Sequence, residues 1–138
     1  MTSTSSPVSA SMTSIINQLK FDENGLIAAI IQDFKSNEVL MFAFMNREAV
    51  EKTLQGPYVT FWSRSRKKLW VKGEESGHTQ EVKAVFFDCD QDALLIKVDQ
   101  KVAACHEGYR TCFFRQIEGD HSKLIAERLF DPQKAYKK

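Results

Sequence analysis

All three cysteines of the chain fall in two neighbouring motifs. Cys89 sits in Asp88-Cys89-Asp90-Gln91-Asp92; Cys105 and Cys112 bracket Cys105-His106-Glu107-Gly108-Tyr109-Arg110-Thr111-Cys112. Soft thiolates suit Zn2+, and closely spaced carboxylates suit the harder Mg2+ or Ca2+. Two kinds of ligand this close in sequence point to a metalloenzyme. On a helix, the C-x6-C pair would share a face but lie about 10 Å apart along the axis. On a strand, its odd separation puts the sulfurs on opposite faces. Neither element brings both within ~2.3 Å of one zinc. The segment must therefore loop, and Gly108 supplies a flexible point. The plain alternative is a pair of small buried core residues. With Cys89 as a third thiolate, a fourth position stays open, as in catalytic rather than structural zinc sites. A zinc of that kind lowers the pKa of bound water to about 7. His106 is a candidate general base or fourth ligand. His78, in Ser76-Gly77-His78, is a second acid/base candidate, against the alternative of a solvated loop histidine. His121 reads as a solvated turn residue.

Asp88, Asp90 and Asp92 form D-x-D-x-D, like the opening of a calcium-binding EF-hand loop. The match then fails. Ala93 stands where Gly is needed, Asp99 where Glu is needed, and the flanks Val85-Phe86-Phe87 and Leu94-Leu95-Ile96 are β-rich. The carboxylates could still converge on Mg2+, or form a solvated acidic turn. If a strand continued through Asp90, parity would point Asp88 and Asp90 to one face and Cys89 to the other. Zinc and magnesium would then lie on different sides or in different subunits. Between Trp62 and Trp70, Ser63-Arg64-Ser65-Arg66-Lys67-Lys68 offers phosphate-binding cations and hydroxyls. The alternative is a solvated hairpin turn. So short a cluster suits one small phosphorylated ligand better than a polynucleotide.

The elements that must position these groups are mostly strands. The 138 residues fit one domain, and a 43% hydrophobic content fits an ordinary core. A net charge of +1 gives no whole-protein argument for nucleic acid or membrane. The longest apolar run, Val39 to Met45, is far short of the ~18 residues of a membrane span. Three cysteines cannot all pair within the chain, and no secretory signal precedes them, so reduced thiols in a cytoplasmic protein are expected. Residues 1–14 are Ser/Thr-rich without a charge and are expected to be disordered; residues 15–138 form the single domain. Asn24-Gly25 reads as a hairpin turn between Phe21-Asp22-Glu23 and Leu26 to Gln32. Val39 to Met45 is a strand. Asn46 caps a helix from Arg47 to Leu54 that stops at Gly56-Pro57. Tyr58 to Trp62 and Lys68 to Lys72 are strands, Gly73 to Gly77 a loop, and Val82–Phe87 with Ala93–Val98 a hairpin. Leu124, Ile125 and Leu129 give Ser122–Phe130 helical spacing. The fold class is α+β, predominantly β, with twisted antiparallel sheets and short helices.

Four ordered motifs resemble one family. They are Trp62-Ser63-Arg64-Ser65-Arg66; Leu69-Trp70-x-Lys72-Gly73-Glu74-x-Ser76-Gly77-His78; Asp88-Cys89-Asp90-x-Asp92-Ala93-Leu94; and Cys105-His106-x-Gly108-x-Arg110-x-Cys112-Phe113-Phe114-Arg115. Phe21 to Arg115 is similar, almost without gaps, to phosphoribosyl-AMP cyclohydrolase, the third enzyme of histidine biosynthesis. The resemblance implies hydrolysis of the N1–C6 bond of the adenine ring of 1-(5-phosphoribosyl)-AMP by zinc-activated water. The product would be the formimino-aminoimidazole carboxamide ribonucleotide intermediate. It implies Zn2+ on Cys89, Cys105 and Cys112, Mg2+ on Asp88, Asp90 and Asp92, and His106 and His78 as catalytic candidates. Trp62, Arg64, Arg66 and Lys72 would bind substrate. It further implies an intertwined homodimer whose zinc sites combine Cys89 of one subunit with Cys105 and Cys112 of the other, and a monofunctional chain without a pyrophosphohydrolase domain. Two departures stand out: Val102-Ala103-Ala104 where members often have Gly-Pro, and Tyr109 at a frequently basic position. A structural zinc module binding protein or RNA, and a calcium-binding domain, are the readings from other classes.

Overall fold

A computed structural model describes residues 8–135. Helix α1, Ala10–Ile16, is capped by Ser9, whose hydroxyl accepts from the Met12 amide at 3.1 Å, and Ile16 is wholly buried. The expected disorder of residues 1–14 therefore does not extend over this helix; burial of Ile16 against the core compensates for a composition poor in apolar residues. Residues 1–7 lie outside the described part. Strands β1 (Ile27–Asp33) and β2 (Val39–Met45) follow, then α2 (Arg47–Gln55), capped by the Asn46 side chain. The hairpin β3 (Thr60–Ser63) and β4 (Lys68–Val71) leads to β5 (Gln80–Phe87) and β6 (Ala93–Gln100). The chain ends in β7 (Arg115–Glu118), β8 (His121–Leu124) and the short α3 (Pro132–Ala135).

Two expectations fail at the ends of the domain. Phe21-Asp22-Glu23 is not a strand. The Asp22 side chain instead accepts from the Asn24 and Leu26 amides, closing a tight loop on itself. Residues 122–130 are not a helix: 121–124 pair as β8, and the remainder is irregular, bending at 129–130 before α3. Leu124, Ile125 and Leu129 have helical spacing, yet all three are exposed, so no apolar stripe is buried to stabilise a helix.

The main sheet has the order β2-β1-β6-β5. β1–β2 and β5–β6 are antiparallel, but the central β1–β6 pair is parallel, so the sheet is mixed rather than antiparallel throughout. The parallel pair arises because the chain leaves the sheet after β2 through α2 and the β3–β4 hairpin. It then re-enters on the far side of β1. One face carries Ile27, Ala29 and Ile31 of β1 with Leu94, Ile96 and Val98 of β6, all buried against Ile16, Val50 and Phe61. Phe61 is fully buried and stacks on Trp70 at 5.0 Å, so truncating it to Ala would cost about 3–5 kcal/mol. The opposite face is different. Registered across all four strands runs the row Phe42, Ile30, Leu95, Phe86, with both phenylalanines 49% exposed. This leaves a four-strand apolar row open to water in the single chain.

Candidate active site

Two ligand clusters lie at opposite ends of this sheet. Asp88–Asp92 turns the chain from β5 into β6. The cysteine loop follows the other end of β6 and is bonded to the far ends of β1 and β2. Eight residues of β6 separate them, so Cys89 stands roughly 20 Å from Cys105 and Cys112 within one chain.

β5 ends at Phe87, so the strand-parity argument for Cys89 does not apply: residues 88–92 form a turn. Asp88 builds it. Its carboxylate accepts from the Asp92 amide at 3.0 Å, its carbonyl from the Gln91 amide at 3.0 Å, and its own amide donates to Ala93 O at 3.1 Å. Gln91 adopts a positive φ of 64°, and its carbonyl accepts from the Lys20 amide at 2.7 Å. The result brings one carboxylate oxygen each of Asp88, Asp90 and Asp92 within 4.8 Å of one another, the one such trio of potential ligands among the described residues. Partial desolvation and the Asp88 and Asp90 charges push the Asp92 carboxyl upward. Three mutually repelling, exposed oxygens are a donor set that fits a hard cation such as Mg2+.

The cysteine loop is held from outside. Arg110 donates to Gln100 O and Val102 O, each at 3.0 Å, and to Asp33 Oδ1 at 2.7 Å. Asp33 also accepts from the Lys35 and Ser36 amides and the Ser36 hydroxyl. Burial works to raise the Asp33 carboxyl, but those bonds and Arg110 together hold it below its ordinary value. Thr111 Oγ1 donates to Val39 O at 2.7 Å, and the Cys112 amide donates to Leu40 O at 2.7 Å. Gln100 Nε2 reaches the carbonyls of His78, Thr79, Lys101 and Ala103, while Gln80 donates to Gln100 Oε1 at 2.7 Å. This clamp was not anticipated from the sequence. Its one visible signal is Asp33, a carboxylate that ends a strand beginning with five apolar residues.

Within the loop, Cys105 is buried and Cys112 exposed, with their sulfurs in hydrogen-bonding contact. Crowding around the Cys112 thiol and the neighbouring Cys105 push it up to about 11, while the Lys72 ammonium pulls the other way. Two adjacent soft donors, one facing outward, fit two ligands of an open zinc site. Cys89 is exposed and at the other end of the sheet. His78 packs its ring edge-to-face on Phe130 at 4.7 Å, and its Nδ1 is buried with no hydrogen-bond partner among the described residues. Burial and the Lys72 charge lower its pKa, so the imidazole is neutral at pH 7. His106 is exposed beside Cys105. The segment 125–130 straps this loop: Leu129 donates to Gly108 O at 2.6 Å and Arg128 Nε to Glu107 O at 2.8 Å. A Cβ on Gly108 would lie 2.5 Å from Phe130 O, so glycine is required here.

The expected substrate residues separate. Trp62 is half-buried; Arg64 and Arg66 are exposed in the β3–β4 turn, with Arg64 stacked on Phe44 at 4.3 Å. Lys72 is buried and donates to Ala104 O, away from that turn. His121 is exposed beside Asp120 and Glu118. Among the described residues no helix is long and apolar enough to cross a membrane.

A family model described as phosphoribosyl-AMP cyclohydrolase matches residues 41–114, from β2 through the cysteine loop. The phosphoribosyl-AMP cyclohydrolase of Methanococcoides burtonii is 56% identical over 121 residues, covering 88% of this chain and 98% of that protein. That of Methanosarcina acetivorans is 53% identical over 121 residues, with the same coverage of 88% and 98%. The histidine biosynthesis bifunctional protein HisIE of Thermoanaerobacter pseudethanolicus is 50% identical over 125 residues, which are 91% of this chain and 58% of that protein.

Proposed function

The chain belongs to the phosphoribosyl-AMP cyclohydrolase family, and we propose that it hydrolyses the N1–C6 bond of the adenine ring of 1-(5-phosphoribosyl)-AMP with a metal-activated water. As a family member it is a hydrolase of a C–N bond serving histidine biosynthesis. The observation that carries the mechanism is the preformed Cys105–Cys112 thiol pair beside neutral His78. Cys105, Cys112 and Cys89 would hold a zinc ion, which would supply Lewis-acid activation of water at neutral pH. The protein's own groups do the rest. His78, neutral and half-buried against Phe130, takes a proton at its ring nitrogen and returns it to the leaving N1. His106, exposed beside Cys105, is the alternative carrier. Arg64 and Arg66 bind phosphate at the mouth of the β3–β4 hairpin, with Trp62 beside them. Asp88, Asp90 and Asp92 would hold Mg2+, a hard cation suited to their carboxylate oxygens.

Cys89 must come from a second chain. A separation of roughly 20 Å cannot be closed without unravelling β6. The uncovered row Phe42–Ile30–Leu95–Phe86 supports the same reading, since a second copy would bury it. The enzyme is thus a cytoplasmic homodimer with two symmetry-related sites, each built from both subunits.

Ring opening of phosphoribosyl-AMP, followed by absorbance with and without a chelator, tests the activity. Mixing tests the shared site. Cys89→Ser and Cys112→Ser homodimers should each be inactive. After joint denaturation and refolding, about a quarter of wild-type activity should return, because half the dimers are mixed and carry one intact site each. A mixture that stays dead, where wild type refolds, would place each zinc within one chain.

A further inference from the structure

Lys72 follows β4 and is 8% exposed, yet among the described residues the one hydrogen bond of its ammonium is to the carbonyl of Ala104. A buried ammonium with a single neutral acceptor is expensive to keep. Trp70 lies near enough for a cation–π contact at 5.6 Å, which offsets only part of that cost. The sulfurs of Cys105 and Cys112 and the ring of His78 also lie within electrostatic reach of the ammonium. Ala104, the residue it grips, immediately precedes Cys105. The geometry therefore couples one cation to both thiols and to the backbone that positions the first of them.

We propose that Lys72 is a positioning residue of the zinc centre rather than a substrate-phosphate contact: its buried ammonium fixes the Ala104 carbonyl and offsets the thiolate charge that zinc binding creates. The inference rests on the reading of Cys105 and Cys112 as zinc ligands. Three thiolates on one Zn2+ leave a net single negative charge in a partly buried site. Lys72 cancels it from inside the protein, while the outward side of Cys112 stays free for the partner's ligand and substrate. The same ammonium stands near His78 and adds to the burial that lowers the pKa of that imidazole. A phosphate contact would need Lys72 to reach the surface, and the Arg64 and Arg66 turn is on a different part of the hairpin.

The test measures zinc affinity by chelator competition, and the charge-transfer absorbance of Cd2+ bound in place of zinc, in Lys72→Met and Lys72→Arg dimers. Methionine keeps the unbranched stem without the charge; arginine keeps the charge. Lys72→Met should lose about 10- to 100-fold in zinc affinity, with weakened cadmium–thiolate absorbance and KM for phosphoribosyl-AMP little changed at saturating zinc. Lys72→Arg should stay within a few-fold of wild type. Unchanged metal affinity in Lys72→Met together with a raised KM would overturn the proposal in favour of a substrate contact. Equal losses in folded Met and Arg variants would overturn it too, because charge would then not matter; if Lys72→Met does not fold, folded Lys72→Arg with a comparable loss of affinity overturns it and retained affinity supports it. Failure of the underlying zinc reading looks different: wild type and all variants would then bind no zinc at the loop.

Discussion

The turn Asp88–Asp92 holds itself in place with bonds spanning no more than five residues, apart from one amide contributed by Lys20. The loop from Lys101 to Phe114 is held by partners up to seventy-seven residues away, Asp33 among them. The difference is instructive because both regions carry metal-type ligands. The aspartate turn converges three donors with a single bond, from Lys20, reaching it from elsewhere in the fold. The cysteine loop converges only two, and it needs two strand ends, a buried lysine and the tail strap to do so. A local turn can present a charge cluster to solvent; a site that excludes water has to be assembled from distant chain segments.

This contrast can be broken experimentally, beginning with the largest effect. Cys112→Ser should remove most bound zinc and nearly all turnover, because serine is a poor zinc ligand at neutral pH, yet leave Mg2+ binding at the aspartate turn intact. Retained zinc in the purified variant would show that the loop is not the zinc site. Asp90→Asn should do the converse. It removes one charge from the hard-cation cluster, so activity should need a higher Mg2+ concentration while zinc content stays near normal. Zinc loss with unchanged Mg2+ dependence would exchange the two assignments.

A smaller effect reads the clamp itself. Asp33→Asn removes the buried charge that Arg110 pairs with and should lower stability by about 2 kcal/mol, measured by denaturant unfolding. The pH dependence follows from the same group. Its carboxyl is held below 3.8 in the folded chain, so its contribution is complete above that value and is lost as pH falls through the lower, folded value. Wild type should thus lose stability more steeply below about pH 4 than Asp33→Asn, and superimposable acid limbs would dismiss the clamp. The smallest effect is a gain. Val102, in the segment where family members often have glycine, adopts φ of 55°, a left-handed conformation costly for a β-branched residue. Val102→Gly should raise stability by about 1 kcal/mol in thermal melts, with the aspartate turn's Mg2+ dependence unmoved. A lower melting temperature would show that the side chain's packing outweighs its backbone strain.

Much of the machinery was legible in the residues. The apolar runs that become β1 and β6, the Asn46 cap, the hairpin around Asp90 and the need for the cysteines to loop all follow from short-range chemistry, where propensity, turn residues and ligand type act over a few residues. So did the likeness to the cyclohydrolase family, carried by ordered motifs. The tertiary structure alone decided the rest. The parallel pairing of β1 with β6 depends on which side of the sheet the chain re-enters, and no local pattern encodes that. The helical spacing of Leu124, Ile125 and Leu129 misled because spacing stabilises a helix only where a facing surface buries the stripe. Lys72 read as a substrate-binding residue at the end of a strand. It is buried because β4 aims it beneath Ala104, a contact spanning thirty-two residues. Residue type fixes which atoms can bind a metal; only the fold sets how far apart they stand, and here it puts Cys89 at the opposite end of β6 from the two cysteines it resembles in sequence.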